Sequence, residues 1–189
     1  MTSIGDAGCA SQQDCPVQDV CTGPWSGVRD DGAEVPVNLF HDDEVYRREL
    51  ENIFAKCWLY LGHETQLREP GDYILARMGD DEVVVARRED GTIGAFLNSC
   101  RHRGAKVCRA DQGNSQALRC PYHGWTFDLY GKLIGVPRIK TAYHGELDRD
   151  RLGLIEVAQL DVVHGLIFAT WDSEAPALRE YLGEFMSYL

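Results

Sequence analysis

Four residues near the middle of the chain have the types and spacing to bind metal. They are Cys100 and His102 in "SCRHRG" and Cys120 and His123 in "CPYHGW", with seventeen residues between His102 and Cys120. Each loop pairs a thiol with an imidazole. Two residues apart in an extended or turn segment, both side chains point the same way, so each loop can deliver one sulfur and one nitrogen into a common pocket. A single zinc ion could accept that set tetrahedrally, although structural zinc sites more commonly use CxxC knuckles beside a separate pair. A two-iron cluster explains the mixing better: if each loop gives one ligand to each iron, the two cysteines can hold one metal and the two histidines the other.

Such loops must hang from something rigid. From Trp58 onward short β-branched or aromatic runs alternate with Gly, Pro and Asp turns: "WLYLGH", the Pro70-Gly71 turn, "DYILARM", a "GDD" turn, "EVVVARR", an "EDGT" turn and "IGAFLN". That pattern predicts an antiparallel meander. Further short strands fit at 116–119, 125–127, 132–136, 154–160 and 165–171, giving a mainly β fold, an all-β sandwich or small barrel, with both Cys/His clusters on loops. Before the strands, Asp42 can cap a helix with Asp43 and Glu44 in its first turn and Tyr46, Leu50, Ile53, Phe54 and Cys57 on one face. After them, Pro176 opens a helix whose Leu178, Tyr181, Leu182, Phe185 and Leu189 share a side. This face should be covered either by the domain itself or by polypeptide beyond Leu189. Residues 1–38, rich in Gly, Pro, Asp and small polar types, read as an irregular arm.

The 189 residues include 44% hydrophobic and 10% aromatic side chains, enough to build a core. A formal net charge of -11 argues against nucleic acid and anionic membrane as partners. No apolar run is long enough for a spanning helix, and no secretory signal opens the chain, so a cytoplasmic protein is expected. Of the seven cysteines, Cys9, Cys15 and Cys21 lie five residues apart in the polar arm and read as free thiols, while Cys57 and Cys108 read as buried structural thiols. No GxGxxG or GxxxxGK[ST] phosphate loop is present.

The full pattern, CxH, seventeen residues, CxxH, resembles the Rieske [2Fe-2S] signature. The form "CRHRG … CPYHGW" is similar to that of the large (alpha) subunit of aromatic ring-hydroxylating dioxygenases of the naphthalene, biphenyl and benzoate type. The likeness extends through "FAKCWLYLGHE", "PGDYILARMGDDEVVVARREDGTIGAFLNSCRHRGAKVC", "GKLIGVP", "LGLIEV" and "EAPALREYLG". It implies a Rieske-type antiparallel β-sandwich with two cluster-binding loops, flanked by an N-terminal and a C-terminal helix. The boundaries it suggests are a helix at 39–57, the cluster domain at 58–171, and at 172–189 the start of a catalytic region cut off before its main part.

The resemblance also assigns roles. Cys100 and Cys120 would bind the iron that stays ferric, and His102 and His123 the iron that takes the electron, with His123 on the exit side toward a carboxylate of a neighbouring subunit. Neutral imidazoles in place of two thiolates leave the cluster less negative and raise its potential; loss of the second ring N–H should make that potential depend on pH. Ala105 and Tyr122 stand where the respiratory branch of the family carries a disulfide, which places the expected potential in the lower part of a range of about -150 to +300 mV. Tyr122, Trp125 and Phe127 would pack around the cluster and exclude water, and Gly104 and Gly124 would supply positive φ.

Residues 98–140 hold eight basic side chains, Arg101, Arg103, Lys106, Arg109, Arg119, Lys132, Arg138 and Lys140, against Asp111 and Asp128, a local charge of +6. This suggests a docking face for an acidic ferredoxin or an NAD(P)H-dependent reductase. The family's mononuclear Fe(II), held by two histidines and a carboxylate, belongs to the C-terminal domain. His41, His63, His144 and His164 show no HxxxxH spacing and read as ordinary surface or core histidines. Other oxygenase alpha subunits, in a trimer, and a beta subunit are the implied assembly partners. The alternatives are a free-standing Rieske ferredoxin, which the arm and flanking helices disfavour, and a zinc-binding structural module.

Overall fold

The computed structural model of the chain describes residues 35–189. Cys9, Cys15, Cys21 and most of the expected arm lie outside the described residues. The chain divides into two compact units, residues 1–49 and 50–189. Within the first, Asp42 caps helix α1 (Asp43–Glu49) as expected: its carboxylate accepts from the Glu44 and Val45 N–H groups at 2.8 and 3.3 Å. The acids of the first turn and Arg47 and Arg48 of the last suit the helix dipole.

The second unit opens on a π-turn, Leu50–Phe54, closed by the Ala55 N–H on the Leu50 carbonyl at 3.0 Å. This wider turn breaks the 3.6-residue period on which the expected apolar face rested. Leu50 and Phe54 cover Gly79 at the tip of the first hairpin, while Ile53 is 47% exposed.

Ten strands follow. β2 (Asp72–Met78), β3 (Asp81–Arg87) and β4 (Ile93–Leu97) form the predicted meander, and β5 (Gln112–Asn114) adds to β2, giving the order β4-β3-β2-β5. β1 (Leu59–His63), β10 (Leu166–Thr170) and β9 (Gln159–Val163) make a second sheet, and β6 (Leu118–Arg119), β7 (Thr126–Phe127) and β8 (Leu133–Gly135) a third. All pairings are antiparallel.

The continuous apolar run of β3 explains the layering. With a period of two, Val83 and Val85 face one core with Leu61, Ile74, Ala95, Ile167 and Ala169, while Val84 and Ala86 face another with Phe96, Leu118, Trp125, Phe127 and Leu133. Val83, Val84, Val85 and Ala86 are all fully buried. A strand covered on both faces reads as unbroken hydrophobic sequence, so the four-stranded sheet is the middle layer of a mainly β antiparallel sandwich.

A short helix, α2 (Ile139–Ala142), lies between β8 and β9, and the C-terminal segment is not one helix. α3 (Leu178–Leu182) ends at Gly183, whose φ of +51° starts a new 3-10 turn through Ser187. The break divides the expected face. Leu178 is fully buried with Trp58 and Val163, and Leu182 and Met186 pack against them, whereas Tyr181 and Phe185 are exposed. No helix among the described residues is long and apolar enough to cross a membrane.

Candidate metal centre

The two loops are built alike. In the first, which leaves the end of β4, the Cys100 N–H donates to the Ala105 carbonyl at 2.8 Å and the Gly104 N–H to the Cys100 carbonyl at 2.8 Å. In the second, between β6 and β7, the Cys120 N–H donates to Trp125 at 2.8 Å and the Gly124 N–H returns to Cys120 at 3.0 Å. Each glycine lies at the position where the chain must turn left-handed, φ +68° at Gly104 and +72° at Gly124, as expected of residues without a Cβ. The repeated geometry offers a cysteine from the base and a histidine from the tip of each loop.

The four predicted side chains come together as two like pairs. Cys100 and Cys120 are 3% and 2% exposed within the core between the middle and third sheets, near enough for Cys120 to act on the Cys100 thiol. At the loop tips, His102 Nδ1 and His123 Nδ1 lie 3.1 Å apart, with ring centroids 4.6 Å apart. That separation is close to what two nitrogens each about 2.1 Å from one metal ion would have. His102 is half-buried and His123 exposed.

The electrostatics suit a cation. Burial pushes the Cys100 thiol above its ordinary pKa, the backbone N–H groups of His102 and Arg103 work against that rise, and neighbouring Cys120 adds to it. Two adjacent thiols out of water ionise with difficulty unless a metal takes their charge. His102 is held below the usual imidazole range, by burial first and then by the charges of His123 and Arg103, which favours the neutral ring a metal requires. The donor set therefore fits a two-ended cluster, sulfur at the buried end and nitrogen at the open one.

Aromatic rings fix the histidines. The His102 ring stacks on Trp125 at 4.8 Å with an interplanar angle of 11°. Its Nε2 lies 3.3 Å from the Tyr143 hydroxyl. Trp125 and Phe127 are buried beside the cysteines, as expected. Tyr122 is not: it lies on the outer face of His123, centroids 3.7 Å apart, and is 56% exposed. Proline on one side and histidine on the other hold it at the tip of the second loop, where the core cannot reach it.

Two supporting residues escaped the sequence reading. Asn98, at the foot of the first loop, is 4% exposed. It accepts from the Val107 and Cys108 N–H groups at 2.9 Å each and donates to the Cys108 carbonyl at 2.8 Å and to Glu82 at 2.6 Å. Tyr143, which ends the short helix α2 (Ile139–Ala142), reaches His102 from 41 residues away. Neither has a local signal, because both act through partners distant in sequence. Cys108 is buried, its thiol pushed up to about 11 by burial and by Glu82; Cys57 is only half-buried and faces the Tyr181 hydroxyl.

The remaining histidines stand apart. His63 caps the turn at Glu64–Gln66 through its Nδ1, and His144 and His164 occupy exposed left-handed turn positions. All eight basic residues counted between 98 and 140 are exposed. Lys106 pairs with Glu82 at 3.0 Å, while Arg103 adds to the field at His102 and the Arg119 guanidinium lies beside Gly124.

Residues 57–159 match the family of the Rieske [2Fe-2S] domain. The chain is 48% identical over 153 residues to the large oxygenase component of the naphthalene 1,2-dioxygenase system of Pseudomonas aeruginosa, covering 80% of this chain and 34% of that protein. It thus spans about a third of the length of the curated relatives it matches. The crystallographic naphthalene 1,2-dioxygenase with indole in its active site superimposes with a TM-score of 0.81 and 44% identity, over 86% of this chain and 36% of that one. A quaternary ammonium Rieske monooxygenase, described in connection with inter-subunit electron transfer, gives 0.73 and 28% identity over 81% of this chain and 41% of its own.

Proposed function

The chain belongs to the Rieske [2Fe-2S] domain family, and from that premise we propose that it carries single electrons as the cluster-bearing part of an aromatic ring-hydroxylating oxygenase large subunit. Cys100 and Cys120 hold one iron and His102 and His123 the other. The observation that carries this reading is the sorting of the donors: two thiols buried in one core, two imidazole Nδ1 atoms 3.1 Å apart at the loop tips, and, among the described residues, no three His, Cys, Asp or Glu side chains gathered around a single point. The four ligands of one zinc ion would converge on such a point. When bound, the cluster supplies a one-electron couple that changes charge without making or breaking bonds in the protein.

The chain's own residues do the rest. Trp125, Phe127, Leu118 and Leu133 keep water from the sulfur end, where a lower dielectric and fewer solvent donors tune the potential. The backbone N–H groups of His102 and Arg103 favour the negative charge of the Cys100 sulfur. The paired loop hydrogen bonds hold the four ligands fixed, so little structure has to rearrange when the charge changes.

The exposed ring of His123 supports an exit toward a second subunit, and the basic residues around the loops support docking of an acidic ferredoxin or an NAD(P)H-dependent reductase. In this reading residues 58–171 are the Rieske domain. The length that the relatives have beyond this segment would carry the mononuclear iron and the aromatic substrate pocket, in an assembly with other alpha subunits and a beta subunit.

The test is metal and acid-labile sulfide content of protein prepared without air, with visible and EPR spectra before and after dithionite. Two irons and two sulfides per chain with a reduced-state EPR signal are expected; stoichiometric zinc in a colourless solution would reject the reading.

A further inference from the structure

The two histidines at the open end of the centre are not equivalent. His102 is fixed on three sides: Nδ1 faces His123, its plane lies on Trp125, and Nε2 meets the Tyr143 hydroxyl at 3.3 Å. Tyr143 also stands edge-on to Trp125, centroids 6.2 Å apart at 67°, so its ring is itself held. His123 is touched on its outer face by the exposed Tyr122, and its Nε2 makes no hydrogen bond among the described residues.

The backbone that delivers Tyr143 is strained. Arg138 begins the turn into α2 at φ +58°, ψ +29°, a left-handed conformation that is unfavourable for a residue with a side chain. The Thr141 and Ala142 N–H groups both donate to its carbonyl, at 3.1 and 2.8 Å, and the Tyr143 N–H donates to Ile139 at 3.2 Å. Those bonds hold the turn in a form that points residue 143 back at the loop tips.

We propose that Tyr143 is a positioning residue that engages the outer ring nitrogen of His102, tuning the centre's potential and leaving His123 as the imidazole free to meet a partner. This rests on the reading of His102 and His123 as cluster ligands. With Nδ1 given to metal, the ring proton sits on Nε2, so Nε2–H donates and the Tyr143 oxygen accepts. An acceptor at that position makes the ring a stronger electron donor. The oxidised, more positive state is thereby stabilised and the potential lowered.

Tyr143→Phe keeps the ring packed on Trp125 and removes only the acceptor. In the full chain with its cluster, the potential is measured at a pH below that at which the wild type's own potential begins to fall. The expected result is a rise equal to a three- to tenfold change in the reduced-to-oxidised ratio, about 30–60 mV at 59 mV per tenfold for one electron, with iron, sulfide and visible spectrum unchanged. Tyr122→Phe removes a hydroxyl that touches neither ring nitrogen and should leave the potential in place. An unchanged or lower potential in Tyr143→Phe, with the cluster intact, overturns the proposal; absence of a cluster from the wild type overturns the underlying reading instead. Should Tyr143→Phe not assemble, the wild type still decides: proton ENDOR in deuterated buffer should show one slowly and one rapidly exchanging ring N–H, and two that exchange alike refute the assignment.

Discussion

Replacing Asn98 with alanine should open the base of the first loop. The side chain satisfies two buried N–H groups, of Val107 and Cys108, and one buried carbonyl, of Cys108, and it also donates to Glu82. Glu82 keeps Lys106 at 3.0 Å, so its loss is small. The three backbone groups are left without protein partners, at about 1–3 kcal/mol each for buried groups. Water can enter the space vacated by the amide, which places the expected loss at the low end of the sum, about 3 kcal/mol. With an m-value of about 2 kcal/mol per M urea, the unfolding midpoint should fall by about 1.5 M. The assay is urea unfolding followed by both tryptophan fluorescence and cluster absorbance. Because Asn98 precedes Cys100 by two residues, the absorbance should be lost before the fluorescence changes. Asn98→Asp should be no better, since it keeps the acceptor but sets a carboxylate against Glu82 and the Cys108 carbonyl. A midpoint within about 0.3 M of wild type for Asn98→Ala would refute the role given to this network.

The other expectations can be checked with equally simple variants. Cys100→Ser or Cys120→Ser should abolish or greatly weaken cluster assembly, while His102→Cys or His123→Cys should leave a cluster of markedly lower potential, read by redox titration. Reversing the charge of Arg101, Arg103 and Arg119 together should slow reduction by an acidic ferredoxin about tenfold or more at low ionic strength, in stopped-flow measurements, and the difference should fade as salt is raised. Lys106, and after it Asn98, holds the Glu82 carboxyl below its ordinary pKa of 4.5 against the opposing effect of burial. A depressed carboxylate adds stability that is complete above that value and is lost as the pH falls through its folded pKa. Lys106→Met should therefore move the acid-unfolding midpoint to higher pH, with little effect at pH 7 and above beyond loss of the ion pair itself.

Much of the architecture was legible because it follows period-two patterning and turn chemistry. β2, β3 and β4 fall where the alternating and continuous apolar runs place them, and the four candidate ligands announce themselves by type and spacing. What was not legible depends on partners far away in sequence. β5 is "QGN", polar and exposed, and is a strand only because Asp72, Tyr73 and Ile74 of β2 offer it an edge. The strand expected at 154–160 forms instead at Gln159–Val163, where β10 supplies a full ladder; residues 154–157 contribute only a single bridge, from Glu156 to Phe96. The two terminal helices were expected to bury a regular apolar face, and each loses its period at one point, Leu50–Phe54 by a π-turn and Gly183 by a left-handed break. Tyr143 and Asn98 illustrate the same limit within the site, since a hydroxyl 41 residues from its imidazole and an amide that joins three segments leave no periodic trace.

The central claim is that sulfur and nitrogen pairs grip different metal ions. Mössbauer spectra of the 57Fe-enriched, dithionite-reduced chain, read beside nitrogen couplings from 15N-histidine labelling, address it most directly. The account predicts equal amounts of one ferric and one ferrous site, with two histidine nitrogens coupled to the ferrous one. A single iron environment, or two irons with no nitrogen coupling at either, would contradict it.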